Sequence, residues 1–159
     1  MTNARILLMR HAEKSGDPMD PHLSPEGVQR AARLADYIPA AFGNPKFLFA
    51  TAISKHSMRP IETLTQLSNK IGVAIDSTFA DQDYGALASQ LLSDPRYAAE
   101  GILVVVCWHH GNIPSMARML NAPFGSYPDP WDHLIFNEII VLDYAGGGVP
   151  AVKIQTEPF

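Results

Sequence analysis

Short apolar runs alternate along this chain with stretches of helical period. Arg5 to Met9 is continuous and too short for a helix, so it predicts a strand buried on both faces that stops at Arg10-His11. Ser24-Pro25 opens a helix: Ser24 can cap it, Pro25 suits its first position, and Val28, Ala31, Ala35 and Ile38 return at helical spacing toward Pro39. Phe47 to Thr51 predicts a second strand. Ser57 is the expected N-cap of a helix whose face is Met58, Ile61, Leu64, Thr65 and Ile71, with Pro60 in the first turn and Gly72 at the end. Val73 to Ile75 predicts a short third strand, and Asp83 to Leu92 a helix closed by Asp94-Pro95. Ile102 to Cys107, continuous and β-branched, is the strongest strand, followed by a short helix over Ile113 to Leu120. Phe136 to Tyr144 and Val149 to Thr156 flank Gly146-Gly147-Gly148, the pattern of a hairpin. Strands alternating with helices predict an α/β fold, a three-layer α/β/α sandwich around a mostly parallel sheet with antiparallel character at its end. No repeat or linker interrupts residues 1–159, so one domain is expected.

Composition narrows the function. With 159 residues, 47% hydrophobic and 18% charged, the chain can bury an ordinary core. Its net charge of −4 argues against a nucleic-acid partner. The longest apolar run, Ile102 to Trp108, falls far short of the roughly 18 residues of a membrane span, and Ile6 to Met9 is too short for a signal-peptide core. The single cysteine, Cys107, forms no internal disulfide framework and suits a reducing compartment. The expectation is a soluble cytoplasmic protein with no membrane partner.

In an open parallel sheet, ligands bind beyond the carboxyl ends of the strands. The first strand delivers Arg10 and His11 to that rim, the second leads to His56 and Arg59, and the fourth delivers His109 and His110. Such a concentration of cationic groups on an acidic protein suits a small anion. Two guanidinium forks can grip a tetrahedral phosphoryl group, and a neutral imidazole is a competent nucleophile toward phosphorus. Arg59 in the first turn of its helix and Gly111-Asn112 ahead of another add amide N–H groups and dipole ends to the same rim.

These residues also carry a family resemblance. Leu8-Met9-Arg10-His11-Ala12-Glu13 resembles the signature after the first strand of the histidine phosphatase superfamily, also called phosphoglycerate mutase-like, with Ala12 where glycine is commonest. Leu23-Ser24-Pro25-Glu26-Gly27 resembles that family's helix start, and Ser57-Met58-Arg59-Pro60-Ile61-Glu62-Thr63 its second-arginine motif. Val105-Val106-Cys107-Trp108-His109-His110-Gly111 is similar to the strand that ends in its second catalytic histidine, and the matches run in family order from residue 4 to residue 121. The resemblance implies a phosphatase in which His11 is transiently phosphorylated while Arg10, Arg59 and His110 hold the phosphoryl oxygens, with no cofactor and no metal. Phe79-Ala80-Asp81-Gln82-Asp83-Tyr84-Gly85-Ala86-Leu87 resembles the segment that carries the proton donor, and puts Asp81 at the place of a Glu; Asp83 is the competing carboxylate. The implied substrate is a small phosphorylated compound or a phosphoprotein, and the implied reaction is hydrolysis of a phosphate monoester. A protein phosphohistidine phosphatase and a catalytically silent phospho-ligand binder are the alternatives.

The plainer readings stand beside these. Lys14, His56, Ser57 and His109 are candidate substrate contacts; for Lys14 and His56 the alternative is a solvated loop position, and for Ser57 a helix cap. Trp108 reads as packing or pocket lining, Cys107 as an inert core thiol, and Trp131-Asp132-His133 as loop packing or a roof over the entrance. Cys107, His109, His110 and His133 lack the spacing of a zinc site.

Overall fold

The computed structural model describes residues 1–159. Six strands, β1 (Arg5–Arg10), β2 (Phe47–Ala50), β3 (Ile75–Asp76), β4 (Leu103–Trp108), β5 (Glu138–Asp143) and β6 (Ala151–Thr156), form one sheet in the order β3-β2-β4-β1-β5-β6. β1 pairs in parallel with β4, and β2 in parallel with both β4 and β3, whereas β5 runs antiparallel to β1 and to β6. The sheet is therefore mixed with a parallel half, and the final hairpin supplies the antiparallel pairing. Helices α1 (Pro25–Phe42) and α2 (Arg59–Ile71) cover one face; α3 (Tyr84–Ser93) and α4 (Ile113–Met119) cover the other.

The apolar runs of β1 and β4 follow from burial between these layers. Ile6, Leu8, Val104 and Val106 pack toward Leu87 and Leu91 of α3 and Met116 of α4, while Leu7, Met9, Val105 and Cys107 pack toward Leu34 and Ile38 of α1 and Leu64 of α2. Alternate residues of each strand thus fill different cores. No helix is long and apolar enough to cross a membrane.

Several boundaries depart from the pattern-based expectation, each for a local reason. α1 passes through Pro39 to Phe42, because near a helix end proline removes little and Gly43 N–H still finds the Pro39 carbonyl at 3.0 Å. Its buried stripe is Gly27, Ala31, Leu34, Ala35 and Ile38, so Val28 falls outside it and is exposed. The cap of α2 is Met58, not Ser57; the Ser57 hydroxyl nonetheless accepts the Arg59 N–H at 3.2 Å from just outside the helix. Gly72 closes α2 in the left-handed region, with φ 71°. β3 shifts to Ile75–Asp76 because Val73 is used in the turn, where its carbonyl accepts the Ser68 hydroxyl at 2.6 Å. β4 extends to Trp108, one residue beyond the expected end, and a 3-10 turn over Asp81–Asp83 precedes α3, which begins at Tyr84.

Gly27 marks a contact that the site depends on. A Cβ there would lie 2.2 Å from the Glu13 carbonyl oxygen, in the loop that follows His11. That same oxygen accepts Ser24 N–H at 2.9 Å, so it cannot retreat freely. Gly27→Ala is expected to cost about 3 kcal/mol of stability, the upper range for an overpacked contact. Urea unfolding checks this; a loss under 0.5 kcal/mol would show that the loop yields.

Candidate active site

The carboxyl ends of β1, β2 and β4 lie side by side in the sheet, and the chain brings its titratable groups there. His11 follows β1 directly and is only 2% exposed. Its Nδ1 lies 2.7 Å from the Ala12 carbonyl oxygen. A carbonyl only accepts, so Nδ1 carries the proton and Nε2 keeps its lone pair. Burial, and then the charges of Arg10, His109 and Arg59, push the imidazole down to about 3 despite the opposing hydrogen bond. At neutral pH it is uncharged.

Arg10 ends β1 and is 3% exposed. Its Nη1 donates to the carbonyls of His133 at 2.5 Å and Ile135 at 3.3 Å, and its guanidinium lies 3.8 Å from the centre of the Phe136 ring. Burial first, and Arg59 second, lower it to about 10. Arg59, the first residue of α2, donates from Nη1 to the Asp20 carbonyl at 2.9 Å and is also lowered by burial. Neither guanidinium forms an ion pair, and the Nε of each is buried with no partner. Two desolvated cations that act on each other and on a neutral imidazole form a place prepared for an anion.

The two histidines after β4 take different places. His110 was expected at the phosphoryl oxygens, but the imidazole set against His11 is that of His109, with ring centres 5.4 Å apart in an edge-on arrangement. Register explains it. Arg10 pairs with Trp108, so the next residue of β4's strand, His109, comes level with His11 and His110 lies one step further out. His109 is lowered by burial, with Asp81 opposing, and its Nε2 lies 3.4 Å from the Thr51 hydroxyl. His110 is half-buried; burial and then Arg10, Lys14 and His133 lower it, so it stands at the outer side of the same charged group.

A cavity of about 380 Å³ opens beside His109 and Arg59, with Ile53, His56, Ser57 and Asp81 among its walls. Arg59 is also part of the wall of a second cavity, about 270 Å³, formed by Lys14 and the loop from Ser15 to Asp20. His56 and Ser57 thus border the first cavity and Lys14 the second. The two candidate carboxylates separate: Asp83 is exposed at the head of α3, whereas Asp81 lines the first cavity with a buried Oδ1 that has no partner. Its backbone carbonyl is fixed by the Trp108 indole at 3.2 Å and by Asn112 Nδ2 at 3.3 Å. Trp108, fully buried, therefore both packs and positions Asp81.

Behind His11, Arg30 of α1 donates to both carboxylate oxygens of Glu13, at 2.8 and 3.1 Å, and to Glu157 at 2.9 Å. Glu157, buried next to Arg30, is pushed up to about 7, burial outweighing the pull of the guanidinium. No three His, Cys, Asp or Glu side chains are grouped to hold a metal ion.

Phe136, Asp20 and Thr51 take part in this arrangement and were not singled out from the sequence. Phe136 begins an apolar run that reads only as strand, and the backbone carbonyl of Asp20 has no signature in residue type.

No protein-family model matches the chain, and no curated protein is similar to it in sequence. Its fold has clear relatives. The protein histidine phosphatase SixA, in a structure with tungstate, superimposes with a TM-score of 0.69 at 15% identity, over 97% of this chain and 97% of that one. A mycobacterial glucosyl-3-phosphoglycerate phosphatase with inorganic phosphate gives 0.62 at 14% identity, over 98% and 97%. Phosphoglycerate mutase from Plasmodium falciparum gives 0.58 at 16% identity, over 100% and 99%. The chain has the phosphoglycerate mutase-like α/β fold.

Proposed function

We propose that the chain is a histidine phosphatase acting in the cytoplasm, which hydrolyses a phosphate monoester through a phosphohistidine on His11. The observation that carries the reading is the setting of that side chain: Nδ1 fixed on the Ala12 carbonyl, Nε2 free, His109 beside it, and the charges of two guanidinium groups without ion pairs acting on it. The solved structures of the same fold include phosphatases bound to tungstate and to inorganic phosphate, the class of anion such a pocket suits.

In the first step Nε2 of His11 bonds to phosphorus as the bond to the leaving oxygen breaks, and Asp81 gives that oxygen a proton. Arg10, Arg59 and His109 meet the charge on the three remaining oxygens, which is where transfer places it. In the second step the oxygen of water bonds to phosphorus as the P–N bond breaks, the water's proton passing to a phosphoryl oxygen, so that His11 is returned and orthophosphate released; Asp81 regains its proton from solvent. His110, Lys14, His56 and Ser57 border the space around the substrate and bear on its choice. That substrate is a small phosphorylated compound or a phosphorylated protein side chain.

The test uses Asp81→Asn with two substrates. Hydrolysis of an alkyl phosphate is expected to fall about 10²-fold or more, because an alkoxide needs its proton. Hydrolysis of p-nitrophenyl phosphate, whose leaving group departs unprotonated, should change less than about tenfold, as should that of a phosphohistidine peptide. Equal losses on all of them would remove Asp81 from the role. A wild type that binds phosphate without any turnover would make the pocket a binding module instead.

A further inference from the structure

Thr63, in the second turn of α2, is wholly buried and polar. Its hydroxyl donates to the Arg59 carbonyl at 2.8 Å, the back-bond that threonine commonly makes in a helix. The same oxygen accepts the N–H of Ala12 at 2.9 Å. Ala12 is itself buried, and its carbonyl is the group that receives Nδ1–H of His11 at 2.7 Å. One unbroken chain of hydrogen bonds therefore runs from the backbone of Arg59, through the Thr63 oxygen and the Ala12 residue, to the ring of His11.

We propose that Thr63 is a positioning residue: it sets the spacing between His11 and Arg59 and, through Ala12, holds the His11 ring with Nε2 toward the phosphoryl group. The inference rests on the reading of this pocket as a phosphoryl-transfer site. The hydroxyl is needed for two reasons. Ala12 N–H has no other acceptor, and a buried amide without one seeks another orientation, which turns the backbone at Ala12 and with it the carbonyl of the next peptide unit. A shift of that carbonyl releases Nδ1, and the imidazole can then turn or change tautomer. A displacement of about 1 Å between reacting groups is enough to lower a rate by about 10²-fold.

The experiment compares Thr63→Val, which keeps the shape and loses the hydroxyl, with Thr63→Ser, which keeps the hydroxyl. Three properties are read well below each protein's unfolding midpoint: turnover of p-nitrophenyl phosphate, calorimetric affinity for tungstate, and the ¹⁵N shifts of the His11 ring. For Thr63→Val, kcat is expected to fall between about tenfold and 10²-fold, and tungstate binding by about tenfold or more. The His11 ring should change from a single Nδ1–H tautomer to a mixture. Thr63→Ser should stay within about threefold of wild type in both rate and affinity. Thr63→Cys, whose thiol is a poor partner, follows Thr63→Val and serves if the valine variant does not fold. A folded Thr63→Val with a lower midpoint but unchanged kcat, tungstate affinity and ring shifts would overturn the proposal, leaving Thr63 a packing residue. A wild type that neither binds tungstate nor turns over would instead sink the phosphatase reading, and the ring shifts would still decide whether Thr63 orients His11.

Discussion

His11→Asn is expected to abolish turnover, with a loss of at least about 10³-fold, and to leave no acid-labile, base-stable phosphoryl group on the protein after rapid quenching. Asparagine keeps a polar atom near the Ala12 carbonyl but offers no lone pair that can form a P–N bond. The variant carries a second signature, in stability. Wild-type His11 binds a proton more weakly when folded, near 3, than when unfolded, near 6.5, so acidification favours the unfolded chain. The stability associated with a neutral His11 is present above about pH 6.5 and is lost as the pH falls toward 3. Between pH 7 and 5 the loss comes to about 2 kcal/mol, the slope approaching 1.36 kcal/mol per pH unit below 6.5. His11→Asn lacks that group, while Glu157, which responds with the opposite sign, is common to both proteins. The stability of wild type relative to the variant should therefore decline by about 2 kcal/mol over that window, measured by urea unfolding at each pH. A difference that stays flat would mean that His11 is not desolvated.

Arg59→Lys should lower kcat/KM by about 10²-fold to 10³-fold, the cost of removing a preorganised donor at an oxyanion. The native side chain spends one Nη on the Asp20 carbonyl and leaves the rest of its planar fork without a partner. An ammonium is a point charge that can satisfy the carbonyl or the phosphoryl oxygens but not both in fixed geometry. Because Arg59 makes no ion pair in the free protein, thermal stability without phosphate should barely change. Stabilisation by added phosphate should shrink: wild type gains about 2.7 kcal/mol at a concentration one hundred times its Kd, and the variant reaches that gain only at a higher concentration. Kinetics on an alkyl phosphate together with melting curves in a phosphate series check both parts. A loss below threefold would argue that Arg59 serves the loop from Ser15 to Asp20 and not the ligand.

Much of this architecture was legible in residue order. β1 and β4 announce themselves because a central parallel strand must be apolar on both faces, and the caps at Ser24 and Gly72 follow from local chemistry that tertiary context left alone. The ends of strands were less legible, and there one residue decides chemistry. His109 and His110 are both acceptable at the end of an apolar run; only pairing of Arg10 with Trp108, a long-range fact, brings His109 level with His11. Asp81 and Asp83 posed the same difficulty on opposite sides of a turn: the fold places Asp81 in a cavity wall, with its carbonyl held by the Trp108 indole and Asn112, and leaves Asp83 exposed. Val28 fits helical spacing yet lies outside the buried stripe, because the stripe follows Gly27 and its contact with Glu13. Phe136 shows what spacing cannot carry: its partner, Arg10, lies at the far end of the chain and meets it through the sheet.

The clasp of Glu13, Arg30 and Glu157 has an outcome for anyone altering this protein after β6. The Glu13 carbonyl touches α1 while its carboxylate is shared, through one guanidinium, with a glutamate just past β6. Substitutions near Glu157 that disturb that guanidinium would reach the loop after His11, so a change in His11's surroundings need not originate in the pocket.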